Sequence, residues 1–180
     1  MIHGGTSGIG LASIEILKLF KAKIFTTVGS AEKKEFCKNI GVNYIFNYKE
    51  EDYYKEIKKK IKGLNLILDY IGGEYINKNI NLLENDGKLI NIGFQNGSSA
   101  EINLMKVMLK RLTISGSTLR IRDNNFKSRI LEELIEYVFP HFKTKQVKCY
   151  IDSVFHLSEA SKAHKRLDEG VHIGKVILEI

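Results

Sequence analysis

A glycine-rich turn near the amino end constrains the fold of this chain more than any other feature. Residues Gly5–Gly10 read GTSGIG, the spacing G-x-G-x-x-G with Ser7 at the middle position. The first glycine permits a tight turn after a strand, a small middle residue lets backbone amides approach a pyrophosphate, and the last glycine allows close helix–strand packing. The turn follows the short strand MIH and opens an amphipathic helix, whose free amides and positive dipole end would face the anion. The pattern predicts a dinucleotide site, and the alternative is a turn that only reverses the chain.

Short β-branched runs alternate with helical stretches about six times along the chain. This alternation is typical of a parallel sheet covered on both faces by right-handed crossovers. We therefore predict an α/β fold, a doubly wound parallel sheet of the Rossmann type with strand order 3-2-1-4-5-6. The pattern changes near residue 148, which predicts a dinucleotide-binding domain over 1–147 and a short C-terminal β-α-β appendage over 148–180.

Helical periodicity also predicts details that the structure can test. It places Ile14, Leu17 and Phe20 on one face of the first helix, and it predicts single helices over 73–87 and 124–142. The second of these contains the only proline, Pro140. Capping preferences predict that Ser30 and Ser158 begin helices and that Gly41 follows a helix end.

Composition narrows the class of protein. Apolar residues make up 43% of the chain and the net charge is +7, but the lysine-rich run at 55–62 has isoleucines at helical spacing and is better explained as a solvated helix face than as a nucleic-acid patch. Cys37 and Cys149 are far apart with no clustered His/Cys spacing, which argues against disulfides or structural zinc and favours a reducing, cytoplasmic location. No apolar run approaches about 18 residues, so no membrane span is expected.

The residues after the second predicted strand indicate which cofactor is bound. NAD sites usually present an Asp or Glu there, whereas this chain has Gly29 and Ser30, followed by Lys33. A small backbone site, a hydroxyl and a cation suit a 2′-phosphate, so NADPH is predicted. Glu32 is a nearby acid, but on a helix it should point about 100° away from Lys33. In the alternative interpretation Ser30 is only a helix cap and Lys33 is only solvated.

The opening GGTSGIG also fits the turn of short-chain dehydrogenases. The Tyr–Lys pair that this family requires occurs only as Tyr54 and Lys58, which is too early in the chain, and the Asn-Ala-Gly element is missing. The other segments instead resemble the quinone oxidoreductase branch of the medium-chain dehydrogenase/reductase superfamily, which is zinc-independent, and most of all its tumour-suppressor-inducible subtype. The resemblance covers essentially the whole chain and rests on IHGGTSGIG, GSAEKKEFCKNIG, NYKEED, LDYIGG, GKLINIGFQNG, GSTLRIR, VFPHF and EASKAHKRLDEGVHIGKVILEI.

The resemblance implies a set of cofactor contacts. Around the glycine turn they are Gly5, Thr6, Ser7, Gly8, Ile9 and Gly10, with Thr6–Ile9 around the pyrophosphate. The others are Ser30, Lys33 and Tyr48 around the 2′-phosphate, Gly93 and Phe94 beside the nicotinamide, and Thr118, Leu119 and Arg120 at the far end of the cofactor. The alternatives are that Tyr48 packs on the sheet, that Phe94 fills the core and that Arg120 is a surface cation. We expect His164 and His172 to be core or surface residues and Asp69 to hydrogen-bond a loop.

The resemblance also implies an activity, hydride transfer from NADPH to a quinone or a related electrophilic carbonyl or alkene. It implies no metal, and we nominate no catalytic acid or base, because the nicotinamide supplies the chemistry. A GroES-like substrate domain precedes the glycine turn in the family, and residues 148–180 would complete it. We therefore expect a cofactor-binding portion with poor activity of its own and a homodimer formed through the last Rossmann strand. We expect neither nucleic acid nor membrane as a partner. The alternative is a non-catalytic NADPH-binding or dimerisation module.

Overall fold

All strand pairs in the computed structural model, which describes residues 1–180, are parallel. The strands are β1 (Phe25–Val28), β2 (Tyr44–Asn47), β3 (Leu64–Asp69), β4 (Leu83–Asn91), β5 (Thr113–Gly116), β6 (Ile151–His156) and β7 (Lys175–Glu179). The helices are α1 (Gly8–Leu19), α2 (Ala31–Asn39), α3 (Tyr53–Lys60), α4 (Tyr75–Leu82), α5 (Leu104–Leu109), α6 (Asn124–Tyr137), α7 (Pro140–Lys143) and α8 (Ala160–Asp168). None of these helices combines the length and the apolar character needed to cross a membrane.

The residue Ile2 joins two groups of strands into one sheet. It forms parallel bridges to Thr26 on β1 and to Leu68 on β3, while β2 pairs with β1 and β3 continues to β4 and β5. The order is therefore β2-β1-Ile2-β3-β4-β5, which equals 3-2-1-4-5-6 when the Ile2 segment is counted as the first strand. The predicted α/β class and strand order are confirmed.

Helices cover both faces of this sheet. One apolar cluster contains Ile57 of α3 and Ile80 of α4, both fully buried, together with Met1. The other contains Ile14 of α1 and Ile2. Met1 and Ile2 belong to opposite clusters because successive strand residues point to opposite faces. The core thus lies on both sides of the sheet and fixes the positions of the strand ends.

Two capping predictions are confirmed and one is wrong. Ser30 caps α2, its hydroxyl accepting a bond from the Lys33 amide at 3.3 Å, and Gly41 follows that helix with a left-handed φ of 88°. Ser158 instead lies in a 3₁₀ turn (Leu157–Glu159) ahead of α8. There its amide donates to the His156 ring, so its own hydroxyl does not cap the helix.

Three periodicity predictions are also wrong in part. Phe20 is 69% exposed, because α1 ends at Leu19. The helix predicted over 73–87 ends at Leu82, since buried Leu83 pairs with Leu64 and starts β4. The helix predicted over 124–142 is divided into α6 and α7, because Pro140 lacks an amide for the helical ladder and begins a new helix instead.

The last residues form their own small unit of β6, α8 and β7, in which β6 and β7 pair in parallel. This unit is attached to α1 by Glu15, which is buried and accepts bonds from the Lys148 amide at 3.1 Å and the Tyr150 hydroxyl at 3.0 Å. A second attachment is the amide of Gly174, which donates to the carbonyl of Thr6 at 2.9 Å. The C-terminal residues therefore lie directly beside the glycine turn.

Candidate functional site

The glycine turn lies pressed between β1 and the start of α1. A Cβ on Gly5 would overlap the Thr26 side chain, and one on Gly10 would overlap the carbonyl of Gly4. Ser7 caps α1, its hydroxyl accepting a bond from the Gly10 amide at 2.9 Å. Ser7 thus caps the helix. This role comes in addition to the predicted one, in which its small side chain lets backbone amides approach a pyrophosphate.

Two amides at this helix start have no partner in the protein. Those of Gly8 and Ile9 donate to no backbone or side-chain acceptor, whereas the Leu11 amide donates to the Ser7 carbonyl. Free amides together with the positive end of a 12-residue helix make this turn suited to an anion.

A groove of about 740 Å³ opens in front of the turn. It lies at the carboxyl ends of β1, β2 and β3, where the strand order reverses and where open parallel sheets bind their ligands. Its lining comes from the turn, the ends of β1 and β2 and the residues that follow them, the loops after β3 and β4, and the C-terminal residues Leu167 and 169–172.

A second cavity of equal volume lies at the opposite end of the sheet. Its lining is mostly apolar and includes Phe25 and Leu64, the first residues of β1 and β3. Ligands of such sheets bind at the carboxyl ends of the strands. The polar groove is therefore the candidate site.

Four of the charged or hydroxyl-bearing side chains in the groove surround the ends of β1 and β2: Ser30, Lys33, Tyr48 and Lys49. The Lys33 ammonium donates to the carbonyl of Gly170 at 2.5 Å. Desolvation lowers the pKa of Lys33, nearby Lys49 lowers it further, and Glu32 opposes the change. Tyr48 is 48% exposed, so it does not simply pack on the sheet.

Glu32 also lines this groove. Glu32 and Lys33 point about 100° apart on α2. Both nevertheless line the groove, because its opening is wide enough for both side chains to reach. The groove lining therefore includes two lysines, Lys33 and Lys49, and three carboxylates, Glu32, Glu74 and Glu169.

The other end of the groove lies beside Tyr70, Gln95 and Asn96. Burial raises the pKa of Tyr70, and its ring packs over the glycine turn. Gly93 lies against Tyr70, since a Cβ there would come within 3.3 Å of the Tyr70 Cβ. Phe94 is half exposed, which excludes the alternative that it fills the core.

The structure brings only some of the predicted cofactor residues together. Thr6, Ser7, Ser30, Lys33 and Tyr48 line the groove, while Gly5, Gly8, Ile9 and Gly10 shape its turn and Gly93 and Phe94 flank it. Thr118, Leu119 and Arg120 lie in an exposed loop after β5, outside the groove lining.

A buried polar network beneath the turn was missed by sequence reasoning. His3 contacts the Asn79 Oδ1 atom at 2.9 Å and the Thr27 hydroxyl at 3.2 Å, and burial lowers the pKa of His3 to about 4. Asn79 in turn donates to Asp69 at 3.1 Å, as does Asn91 at 3.3 Å. Asp69 also accepts bonds from the loop that follows it, which confirms its predicted role. The only sign of this network in the sequence is that polar residues lie at the ends of the strands.

Sequence reasoning also missed the C-terminal wall of the groove, formed by Leu167 and residues 169–172. No local pattern in that segment points to the glycine turn. His172, interpreted as a core or surface residue, lines the groove, whereas His164 is exposed on α8.

The doubly wound sheet with a glycine turn at its switch point defines the class of Rossmann-type domains. The chain belongs to the zinc-binding dehydrogenase family, whose sequence model matches residues 8–136. The family match, the quinone oxidoreductase relatives and the structural neighbours together place the chain in the medium-chain dehydrogenase/reductase superfamily. That part of the predicted resemblance is confirmed.

Particular relatives show how much of a whole protein the chain represents. Quinone oxidoreductase from Homo sapiens is 29% identical over 184 residues, which are 99% of this chain and 53% of that protein. A solved NAD-dependent alcohol dehydrogenase superposes with a TM-score of 0.82 at 28% identity, over 99% of this chain and 50% of that one. The quinone oxidoreductase of Thermus thermophilus, solved alone and with NADPH, gives 0.84 at 21% identity, over 99% and 57%. The chain thus spans about half the length of these relatives.

The family description implies a zinc ion, and the donor groups of this chain do not fit one. Cys37 is buried in an apolar cluster, and burial raises the pKa of its thiol to about 12. Cys149 is exposed. No three His, Cys, Asp or Glu side chains converge so that they could hold a metal ion. We therefore derive no chemistry through zinc.

Proposed function

We propose that this chain is the cofactor-binding portion of an oxidoreductase that transfers a hydride from NADPH to a quinone or a related electrophilic carbonyl or alkene. One observation carries the proposal: the glycine turn, in which the Gly8 and Ile9 amides are free, borders through Thr6 and Ser7 the same polar groove that Ser30 and Lys33 line. These are the two anion-binding points that a phosphorylated dinucleotide requires, one for the pyrophosphate and one for the 2′-phosphate.

The pyrophosphate would bind at the amino end of α1. Gly5 and Gly10 let this turn lie close against Thr26 and the Gly4 carbonyl, where a Cβ would not fit. The free amides of Gly8 and Ile9 donate to the phosphate oxygens, and the helix dipole adds a favourable field.

The preference for NADPH over NADH would come from Ser30 and Lys33, with Lys49 as a second cation. Glu32 in the same groove is the feature that favours the ribose hydroxyl of NADH instead. The solved relatives include both an NAD-dependent enzyme and an NADPH complex. We propose NADPH because Ser30, Lys33 and Lys49 lie together in the groove. Measuring the affinities for NADPH and NADH tests this preference.

When bound, the nicotinamide supplies the hydride. Gly93 and Phe94 would lie beside it and, with Tyr70, limit the access of water. No side chain is proposed as a general acid or base. This proposal includes membership of the zinc-independent branch, a quinone as acceptor and a cytoplasmic location. It also includes a domain boundary near residue 148, after which the C-terminal segment would complete a substrate domain.

Fluorescence titration of the purified chain with NADPH and with NADH tests the assignment. We expect tighter binding of NADPH, and we expect Lys33→Ala to weaken NADPH binding about 10- to 100-fold, because a charge-assisted hydrogen bond is lost. NADH binding should not change in that variant. Lys58→Ala, which removes an exposed lysine from α3, is the matched control. Tighter binding of NADH by the wild-type chain would refute the 2′-phosphate assignment.

The second candidate is a non-catalytic NADPH-binding or dimerisation module. It is favoured by β5, an edge strand whose four residues are all exposed and whose free edge could pair with a second copy. Turnover with a panel of quinones would support the enzyme, whereas cofactor binding without turnover, together with a dimer in sedimentation analysis, would support the module.

A further inference from the structure

The apolar cavity at the amino ends of the strands lies between two strands of the sheet. Ile2 bridges β1 and β3, and the cavity continues from Met1 between the first residues of those strands, Phe25 and Leu64. Its volume is about 740 Å³. Because neighbouring strands lie about 4.8 Å apart, the space between β1 and β3 beyond Met1 has room for one more extended strand.

Two backbone amides on the walls of this cavity point into it. The carbonyl of Phe25 accepts a bond from the Ile2 amide at 2.9 Å, and that of Leu66 accepts one from the Met1 amino group at 2.6 Å. In a strand the N–H and C=O of one residue point to the same neighbour, so the amides of Phe25 and Leu66 face the cavity as well. Strands β2 and β4 pair on the opposite sides, and no loop or side-chain group accepts from either amide. Phe25 is buried, and a buried amide nearly always has an acceptor.

The amino group of Met1 borders this cavity without a counter-charge. It is buried, and its only hydrogen bond is the one to the Leu66 carbonyl. Burial lowers its pKa to about 5, and no nearby carboxylate opposes that shift. The charged side chains of the lining are Lys23, Lys62 and Glu84, so basic groups outnumber acidic ones. A carboxylate that bound beside Met1 would restore the ammonium and form a charge-assisted bond with it.

We propose that this cavity binds the carboxyl-terminal end of an extended apolar peptide from a partner protein, which adds to the sheet as a short parallel strand beyond Met1. Strand addition of this kind is a common mode of peptide recognition. The terminal carboxylate would pair with the Met1 amino group and accept from the Phe25 amide, and the preceding carbonyl would accept from the Leu66 amide. A fatty acid would offer a carboxylate but no acceptor for Leu66, which favours a peptide.

The two faces of the sheet predict which peptide side chains fit. Met1 points to the face covered by α3 and α4, and Ile2 points to the face covered by α1. Successive strand residues alternate, so the last peptide residue would point to α1, where Ile16 and Leu17 line the cavity, and the one before it would point to Ile61. Both positions therefore favour apolar side chains, and β-branched ones suit a strand best.

The test is fluorescence anisotropy of the peptide Lys-Thr-Val-Ile-Val, labelled at its amino end, during titration with the full chain. We expect binding, and we expect an amidated carboxyl end to weaken it about 10-fold, because a charge-assisted hydrogen bond is lost. Ser13→Phe, which fills the cavity from α1, should abolish binding. Ala12→Phe, exposed on the same helix and outside the lining, is the matched control and should bind as the wild type does. Both variants should bind NADPH equally well, because the nucleotide groove lies at the other end of the sheet.

Four outcomes overturn the inference, and all of them leave the proposed function standing. The first is no binding of the free peptide, and the second is equal binding by Ser13→Phe and the wild type. The third is displacement of the peptide by laurate at equal or lower concentration, which would assign the cavity to a lipid. The fourth is a chain with the same five residues fused ahead of Met1 that gains stability in urea while the free peptide does not bind, which would mean that the cavity is filled from within one chain.

Hydrogen exchange in the wild-type chain covers the case in which Ser13→Phe does not fold. NMR can follow the amides of Phe25 and Leu66 while the peptide is added. We expect exchange of both to slow, because each gains an acceptor, and we expect the amides of β5, at the far edge of the sheet, to stay unchanged. Unaltered exchange at Phe25 and Leu66 under saturating peptide contradicts the inference.

Discussion

Acid should destabilise this protein through His3, a fully buried residue beneath the glycine turn. Asn79 donates its amide to Asp69, so its Oδ1 atom is the acceptor for a proton on His3 Nε2, and Nδ1 is left to accept from the Thr27 hydroxyl. The neutral ring is thus fully bonded. A second proton would be buried beside the amino terminus and between the rings of Tyr53 and Tyr75, with Asp69 as the only nearby opposing charge.

The magnitude follows from the pKa of His3, which burial lowers from 6.5 to about 4. Because the folded value lies below the unfolded one, the unfolded chain binds more protons between these two pH values. The free energy of unfolding is therefore undiminished above pH 6.5 and falls as the pH drops towards 4. At about 1.4 kcal/mol for each pH unit, the loss amounts to about 3 kcal/mol.

Urea denaturation at several pH values between 7 and 4 measures this loss, with His3→Gln as the variant that cannot titrate. The buried amino terminus, whose pKa is lowered to about 5 by desolvation, acts in an overlapping range but is common to both proteins. The wild-type chain should therefore lose about 3 kcal/mol more than His3→Gln over this range. Parallel pH profiles for the two proteins would refute the reasoning.

Three further predictions concern the turn, the C-terminal attachment and the cysteines. Gly10→Ala should lower the free energy of unfolding by about 3 kcal/mol in urea, because its Cβ would overlap the turn backbone. Gly116→Ala, where a Cβ meets only ordinary contact at 3.8 Å, should change it by less than about 0.5 kcal/mol, and equal losses would contradict this. Glu15→Ala should cost about 2 kcal/mol in the same assay, because it leaves the Lys148 amide and the Tyr150 hydroxyl without their acceptor; an unchanged midpoint would argue against that attachment. In the native chain a thiol reagent should label exposed Cys149 at once and buried Cys37 only after denaturant is added, and rapid labelling of both would contradict the buried position.

Local patterns in the sequence predicted most of the sheet and one half of the site. The strand and helix alternation determines the fold class because each element buries its own apolar side, and the GTSGIG spacing determines the turn because only glycine fits against Thr26 and the Gly4 carbonyl. The groove residues Ser30 and Lys33 could be predicted because they follow β1 directly in the chain. Periodicity failed where tertiary contacts override it, as at Leu83, whose pairing with Leu64 ends a helix early.

Only the tertiary structure decided how the groove is closed. Lys33 and Gly170 are 137 residues apart and meet because the C-terminal unit is attached to α1 by Glu15 and to the turn by Gly174. No periodicity within a segment records such a contact, since it depends on how separate elements pack. The sequence by itself therefore determined which backbone could hold a phosphate. The packing of the chain's end against its beginning decided which other side chains line the same groove.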